Sequence, residues 1–259
     1  MLVSITDKCR MGCIHCMDDA KSSGNNFMDY DTWIKVLDFN FKYDKTIIIT
    51  GAEPTEHPKF WEYLSIIAQQ MTNDNTATIT TNGMNMDKDD GTLKAGIEKI
   101  NKLCKGTIIW QVTSDKRYYP IKIDVSNPIF QLPNFYIDTV PSISPVGRAL
   151  TNHLEYDEKY TGMKCFNIRS IIRSEYIRSS NVSLKDSIYK LRSMLHFCTP
   201  QIAYDGHIKL GESLLCPNVA HIDDPEKDII EKIVNFKCSG CEIDLSKLSP
   251  LHKIVIGEF

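Results

Sequence analysis

The chain has 259 residues, a net charge of −3 and a pI of about 6.2, with 42% hydrophobic and 24% charged residues. This balance is typical of globular proteins, and the length allows one large domain or one domain with a small addition. It gives no electrostatic basis for binding nucleic acid or an anionic membrane. No segment approaches the roughly 20 apolar residues of a membrane span.

The nine cysteines are an odd number, which argues against a disulfide framework. We expect no signal peptide, and therefore a cytoplasmic protein in a reducing compartment. Metal binding is then the leading explanation for cysteines that cluster in the sequence.

Hydrophobic periodicity predicts alternating strands and helices over the first 140 residues. Strands are predicted at 1–6, 46–50, 76–81, 107–113 and 135–139, and helices at about 30–41, after His57-Pro58 and over 93–104. Such βαβ units form a parallel sheet, so the predicted fold class is α/β. Because the carboxyl ends of parallel strands meet at one edge, we expect the functional site there.

The pattern changes near residue 145. It predicts a capped helix from Ser183, then a hairpin of residues 202–204 and 208–210, and a last helix that begins at Asp224-Pro225. We expect three parts: a domain over 1–150, a connecting helical segment over 151–197 and a small domain over 198–259.

Three cysteines, Cys9, Cys13 and Cys16, follow the first predicted strand with the spacing C-x3-C-x2-C. Thiolates this close in sequence can converge on one soft metal centre. An iron–sulfur cubane normally takes four cysteines, so three leave one iron open to a ligand that is not protein. The alternatives are a partial zinc site, with His15 as a fourth ligand, and free core cysteines.

This spacing, after an N-terminal strand, resembles the signature of the radical SAM superfamily. The resemblance implies a partial (βα)6 TIM-like barrel, a [4Fe–4S] cluster on the three cysteines and S-adenosylmethionine (SAM) on the open iron. It also implies that one electron cleaves SAM to methionine and a 5′-deoxyadenosyl radical, which abstracts hydrogen from an unactivated carbon. A reductant such as flavodoxin or ferredoxin would supply the electron.

The turn Gly51-Ala52-Glu53-Pro54 after the second predicted strand extends the resemblance. It is similar to the family's Gly-Gly-Glu-Pro turn, whose backbone binds the methionine amino group. Ala52 replaces the second glycine, and this replacement costs little if the φ of Ala52 is negative.

Other strand ends resemble further SAM-binding elements. Asn82 resembles the family's third-strand end, and Ser114-Asp115 resembles the polar residues that meet the ribose or the methionine carboxylate. Arg148, in Gly-Arg-Ala, would pair with the SAM carboxylate. His15 lies where the family often has an aromatic residue near the adenine. The simpler alternatives are a tight turn at Asn82, a helix cap at Ser114 and a surface arginine.

A second cysteine set surrounds the predicted hairpin: Cys198, Cys216, Cys238 and Cys241. Four thiolates make a complete ligand set, which suits structural zinc as well as iron and sulfide. The spacing Cys-x12-Gly-x4-Cys, followed by Cys-x2-Cys, resembles the Twitch domain, a shortened form of the SPASM domain. The resemblance implies an auxiliary [4Fe–4S] cluster. Cys165 lies between the two modules and is either an inert cysteine or a hydrogen donor or acid–base group.

Two substrate classes follow from the resemblance. Modification of a ribosomally made peptide or protein is favoured, because the Gly-Arg-Ala and Ser-Asp elements look most like those of maturases. The alternative is dehydrogenation of a small-molecule alcohol such as an aminocyclitol, with the auxiliary cluster accepting the second electron. We expect no N-terminal peptide-recognition domain, which weakens the peptide hypothesis. A non-enzymatic zinc-binding protein is the third hypothesis.

Overall fold

The computed structural model describes residues 1–88, 91–140, 143, 147–154, 200–211 and 216–235. In these residues the strands are β1 (Leu2–Ser4), β2 (Thr46–Thr50), β3 (Thr76–Thr81), β4 (Thr107–Thr113), β5 (Phe135–Asp138), β6 (Pro200–Ile202), β7 (His207–Leu210) and β8 (Asn218–His221). The helices are α1 (Tyr30–Tyr43), α2 (Phe60–Gln70), α3 (Thr92–Leu103), α4 (Arg148–Thr151) and α5 (Glu226–Asn235).

All eight strands belong to one sheet, in the order β5-β4-β3-β2-β1-β6-β7-β8. Neighbours from β5 to β6 pair in parallel, whereas β6, β7 and β8 pair antiparallel. The predicted α/β class with a largely parallel sheet is therefore confirmed. A sixth parallel strand beside β5 does not occur in the described residues, so the (βα)6 barrel stays a prediction.

The helices form where the apolar periodicity predicts them. Helix α1 buries Trp33, Val36 and Leu37, and the Asp29 carboxylate caps its start by accepting from the Thr32 N–H at 2.8 Å. Helix α2 begins at Phe60, two residues after the predicted proline start. The helix predicted from Ser183 lies outside the described residues.

The two faces of the sheet differ in polarity. In β3, Ala77, Ile79 and Thr81 are buried, whereas Thr76, Thr78 and Thr80 are half-buried on the opposite face. The apolar side chains of β1 to β4 join those of α1, α2 and α3 in one core. The helices therefore cover one face, and the polar face of β1 to β4 is available to line a site.

The C-terminal hairpin continues this sheet beyond β1. Leu2 is in register with Gln201 and Val3 with Ile202. Lys42 of α1 contacts the Glu226 carboxylate of α5 at 2.6 Å. Strands β6 to β8 thus share a sheet with the N-terminal strands, while the predicted domain boundaries are untested. None of the described helices has the length and the apolar run that a bilayer crossing needs.

Candidate active site

The predicted site residues follow the carboxyl ends of the parallel strands. The cysteine loop comes after β1, the Gly51–Glu53 turn after β2, Asn82 after β3 and Ser114-Asp115 after β4. Because these strands run in the same direction, all four segments lie at one edge of the sheet. This is the edge at which open α/β sheets bind ligands.

The three N-terminal cysteines lie in one apolar environment. Cys9 and Cys13 are buried in a cluster with Met11 and Met84, and Cys16 packs against it. Two buried thiols and one half-buried thiol in this place suit a group bound through sulfur, and their number matches a [4Fe–4S] cluster with one open iron. No three His, Cys, Asp or Glu side chains in the described ranges are arranged to hold a single metal ion.

The thiols of the loop are in an unfavourable place for negative charge. Burial, together with the nearby carboxylates of Glu53 and Glu56, raises the pKa of Cys9 to about 11. Burial and the two other cysteines raise the pKa of Cys13. A cationic metal group would reverse this penalty, since metal binding deprotonates a coordinating thiol.

The Gly147-Arg148 segment clamps the cysteine loop. A Cβ at Gly147 would lie 2.5 Å from the Cys16 carbonyl oxygen, so only glycine allows this approach. The Arg148 N–H donates to that same oxygen at 2.9 Å, and its Nη2 donates to the Ala20 carbonyl at 2.6 Å. The described contacts of Arg148 thus hold the loop, while its pairing with a SAM carboxylate is untested.

The Gly51-Ala52 turn approaches β1 closely. A Cβ at Gly51 would lie 2.0 Å from the Ser4 Oγ, and the Gly51 φ is +79°. The φ of Ala52 is +46°, so the condition under which alanine costs little is not met. Alanine replaces a glycine where the left-handed conformation is required, at a cost of about 1–2 kcal/mol. The geometry of the turn determines this φ, and an alanine in the sequence does not predict a positive φ.

The Glu53 side chain is fully buried and connects two strand ends. Its Oε1 accepts from the Thr81 hydroxyl at 2.7 Å and the Thr55 hydroxyl at 2.5 Å, and its Oε2 accepts from the Asn82 N–H at 2.8 Å. Burial raises its pKa, and these donors act in the opposite direction. The carboxylate therefore fixes the turn after β2 to the end of β3.

Asp115 makes a corresponding link between β4 and β5. Its carboxylate binds the Arg117 guanidinium at 2.6 and 3.0 Å and accepts from the Val140 N–H at 3.0 Å. The Arg117 hydrogen bonds lower the Asp115 pKa to about 2. Neighbouring Ser114 donates its N–H to the Asp138 carbonyl at 2.9 Å. The described partners of both residues are protein groups, and their contact with a cofactor stays a prediction.

His15 lies in an aromatic group beside the cysteines. Its ring packs against Tyr118 and Tyr119, with centroid separations of 5.0 and 5.5 Å. Burial lowers the His15 pKa, so the ring is neutral near pH 7. The ring contacts with Tyr118 and Tyr119 are those of a packing role.

A cavity of about 430 Å³ lies beside this edge, on the polar side of the sheet. Its walls include Asp18 of the cysteine loop, Ala52 of the turn, Lys209 of β7 and Cys216. Burial raises the Asp18 pKa, while a hydrogen bond from the Ala52 N–H and the charge of Lys209 lower it. Neither Asp18 nor Lys209 is among the site residues predicted from the sequence. The alternation His207-Ile208-Lys209-Leu210 was the available signal for Lys209, since it places two polar residues on one face.

Of the second cysteine set, only Cys216 is in the described residues, where it is buried. Cys198, Cys238 and Cys241 lie outside them, as does Cys165. The auxiliary cluster and the role of Cys165 are therefore untested predictions.

Comparisons with known proteins support the sequence resemblance. Residues 3–112 match the family model described as the Radical SAM superfamily, a span that contains the three N-terminal cysteines and β1 to β4 but less than half of the chain. No curated protein matches this sequence.

Two solved structures of Streptococcus suis SuiB are also similar to the chain. SuiB bound to S-adenosylmethionine is 14% identical, with a TM-score of 0.43, over 99% of this chain and 67% of SuiB. SuiB bound to its precursor peptide SuiA is 15% identical, with a TM-score of 0.43, over 92% and 67%. Both TM-scores are below 0.5, so this likeness does not bear on the substrate.

Proposed function

We propose that this protein is a radical SAM enzyme in which Cys9, Cys13 and Cys16 hold a [4Fe–4S] cluster whose open iron binds SAM. The observation that carries the proposal is the grouping of three thiols at the carboxyl edge of a parallel sheet. The family match over residues 3–112 supports it, because it contains the same three cysteines.

When bound, the cluster supplies the electron that cleaves SAM and so generates the radical that abstracts hydrogen from the substrate. The chain's own residues bind and orient the reacting groups, and they exclude water. The Gly51-Ala52 turn resembles the family's turn that meets the methionine amino group, and its backbone is proposed to bind that group here. The Tyr119 ring packs against the cysteine cluster, and His15 of the loop packs against Tyr118 and Tyr119.

We assign the cavity beside the cysteine loop to the substrate. Its volume of about 430 Å³ fits a small ligand or one side chain of a larger one. The wall carries three carboxylates, Asp7, Asp18 and Asp205, and one lysine, Lys209. This lining suits a polar substrate that donates and accepts hydrogen bonds. A reductant such as flavodoxin or ferredoxin would complete the system.

For the substrate class, we propose modification of a ribosomally made peptide or protein. The maturase-like Gly-Arg-Ala and Ser-Asp elements support it, and the cavity would hold the side chain that reacts. The alternative is dehydrogenation of a small-molecule alcohol, which the polar lining of the cavity favours. Mass spectrometry of a precursor peptide encoded beside this gene distinguishes them: a mass change that requires SAM supports the peptide. An unchanged peptide with active SAM cleavage supports the alcohol.

We propose that the auxiliary [4Fe–4S] cluster is held, in a Twitch-like region, by Cys198, Cys216, Cys238 and Cys241. The burial of Cys216 on the cavity wall supports a site next to the substrate. Full coordination by four thiolates leaves no iron for substrate, so its role is electron transfer or support of the cavity wall.

Metal analysis after anaerobic reconstitution tests these assignments. We expect about eight irons per chain, and about four after Cys9, Cys13 and Cys16 are replaced by alanine. The matched control replaces Cys104, which lies outside both sets, and should keep about eight irons. Two zinc ions and no iron would contradict the proposal and support the zinc-binding hypothesis.

A further inference from the structure

The Asn82 side chain makes a directed contact with a cysteine of the N-terminal set. Its Nδ2 donates to the Cys9 Sγ at 3.6 Å, and both residues are buried. Its Oδ1 accepts from the Met84 N–H at 2.9 Å. Because a backbone N–H must face the amide oxygen, the NH2 group of Asn82 is the end that faces the sulfur.

The surroundings of Asn82 restrict its movement. Its backbone N–H donates to the Glu53 Oε2 at 2.8 Å, and Glu53 itself accepts from Thr55 and Thr81. The contact with Cys9 therefore depends on a buried network that extends from the end of β3 to the turn after β2. A hydrogen bond held in this way is oriented before any metal group binds.

We propose that Asn82 raises the reduction potential of the N-terminal cluster by donating a hydrogen bond to the Cys9 thiolate. Hydrogen bonds to the sulfurs are among the factors that set the potential of an iron–sulfur cluster. Reduction adds negative charge to the cluster and its ligands, so a donor at the sulfur stabilises the reduced state more than the oxidised state. The inference rests on the proposed function, and it makes Asn82 a positioning residue that acts through Cys9.

The test is an EPR-monitored redox titration of the reconstituted protein, without SAM, for the wild type, Asn82→Leu and Asn82→Asp. Asn82→Leu removes the hydrogen-bond donor, and the leucine side chain is similar in size to that of asparagine. Asn82→Asp keeps an oxygen for the Met84 N–H and places a carboxylate oxygen near the sulfur. We expect both variants to have a lower midpoint potential than the wild type, with the larger shift in Asn82→Asp.

Asn85→Asp is the matched control. The described hydrogen bonds of the Asn85 side chain are with Thr55 and Arg10, and none is with a cysteine. The substitution therefore makes the same chemical change nearby, away from the sulfur. We expect its shift to be smaller than that of Asn82→Asp. If an Asn82 variant assembles the cluster and its midpoint potential equals that of the wild type, the inference is overturned and the proposed function stays intact. A wild-type protein that assembles no cluster would overturn both.

Discussion

Glu53 and Asp115 are both buried carboxylates at strand ends, and each joins two neighbouring segments of the sheet edge. Asp115 has its own cation, because Arg117 binds it through two nitrogens. Among the described residues, the donors to Glu53 are neutral hydroxyl and backbone groups of Thr55, Thr81 and Asn82. Their pKa values accordingly shift in opposite directions, with that of Glu53 raised by burial and that of Asp115 lowered to about 2.

The difference shows where positive charge is missing. Glu53 acts on Cys9, whose thiolate form burial also disfavours. Burial likewise disfavours the thiolate of Cys13, which the charge of Arg148 offsets only in part. This half of the edge therefore gains most from a bound cationic group, such as iron or the sulfonium and ammonium groups of SAM. Near Asp115, the Arg117 guanidinium already balances the carboxylate charge, and the Asp115 contacts join the ends of β4 and β5.

The largest stability effect is expected from Gly51→Ala, in the turn that carries Glu53. The new Cβ would meet the Ser4 Oγ at 2.0 Å, and the residue has a φ of +79°. We expect a loss of about 2–4 kcal/mol in the free energy of unfolding, measured by chemical denaturation. Gly91→Ala is the control, because its φ is +101° but nothing lies within 4 Å. Equal losses in the two variants would show that the close approach to β1 carries no cost.

A smaller effect is expected from Asp115→Asn, which removes the charge that Arg117 binds. Because Arg117 is exposed, we expect a loss of about 1–2 kcal/mol near pH 7. The folded pKa is depressed, so this contribution is present above the usual aspartate pKa and disappears as the pH falls towards 2. Denaturation of both proteins between pH 2 and pH 7 measures it. A constant difference across this range would contradict the ion pair.

Glu53→Gln should show the opposite pH trend. The raised pKa means that Glu53 favours the folded state most at low pH, and this contribution decreases as the pH rises above the usual glutamate value. We therefore expect the stability of wild type relative to Glu53→Gln to fall between pH 4 and pH 7, in the protein without metal. Parallel pH curves for the two proteins would show that Glu53 has a compensating cation.

The smallest effect is expected from Ala52→Gly. Glycine removes the cost of the positive φ but adds entropy to the unfolded chain, so we expect a net gain of about 0.5–1 kcal/mol. Chemical denaturation of the metal-free protein measures this gain. A loss of stability would mean that the alanine methyl group makes a contact that outweighs the strain.

The sequence predicts the architecture of the edge better than the partners of its residues. Periodicity locates the strands, and parallel pairing then places Cys9, Glu53, Asn82 and Asp115 at one edge. The sequence does not indicate that Arg117 neutralises Asp115, or that Glu53 binds the end of β3, because these contacts depend on the tertiary packing of loops. Pairing of β6 with β1 was missed for a similar reason, since strand order between distant segments leaves no local pattern.

The most direct test of the central claim is the yield of 5′-deoxyadenosine from SAM and dithionite under anaerobic conditions. We predict that the reconstituted wild-type protein forms this product, and that the variant with alanine at Cys9, Cys13 and Cys16 forms none. The Cys104→Ala protein should retain the wild-type yield. Product formation by the triple variant, or none by a wild-type protein that carries its full iron content, would contradict the assignment.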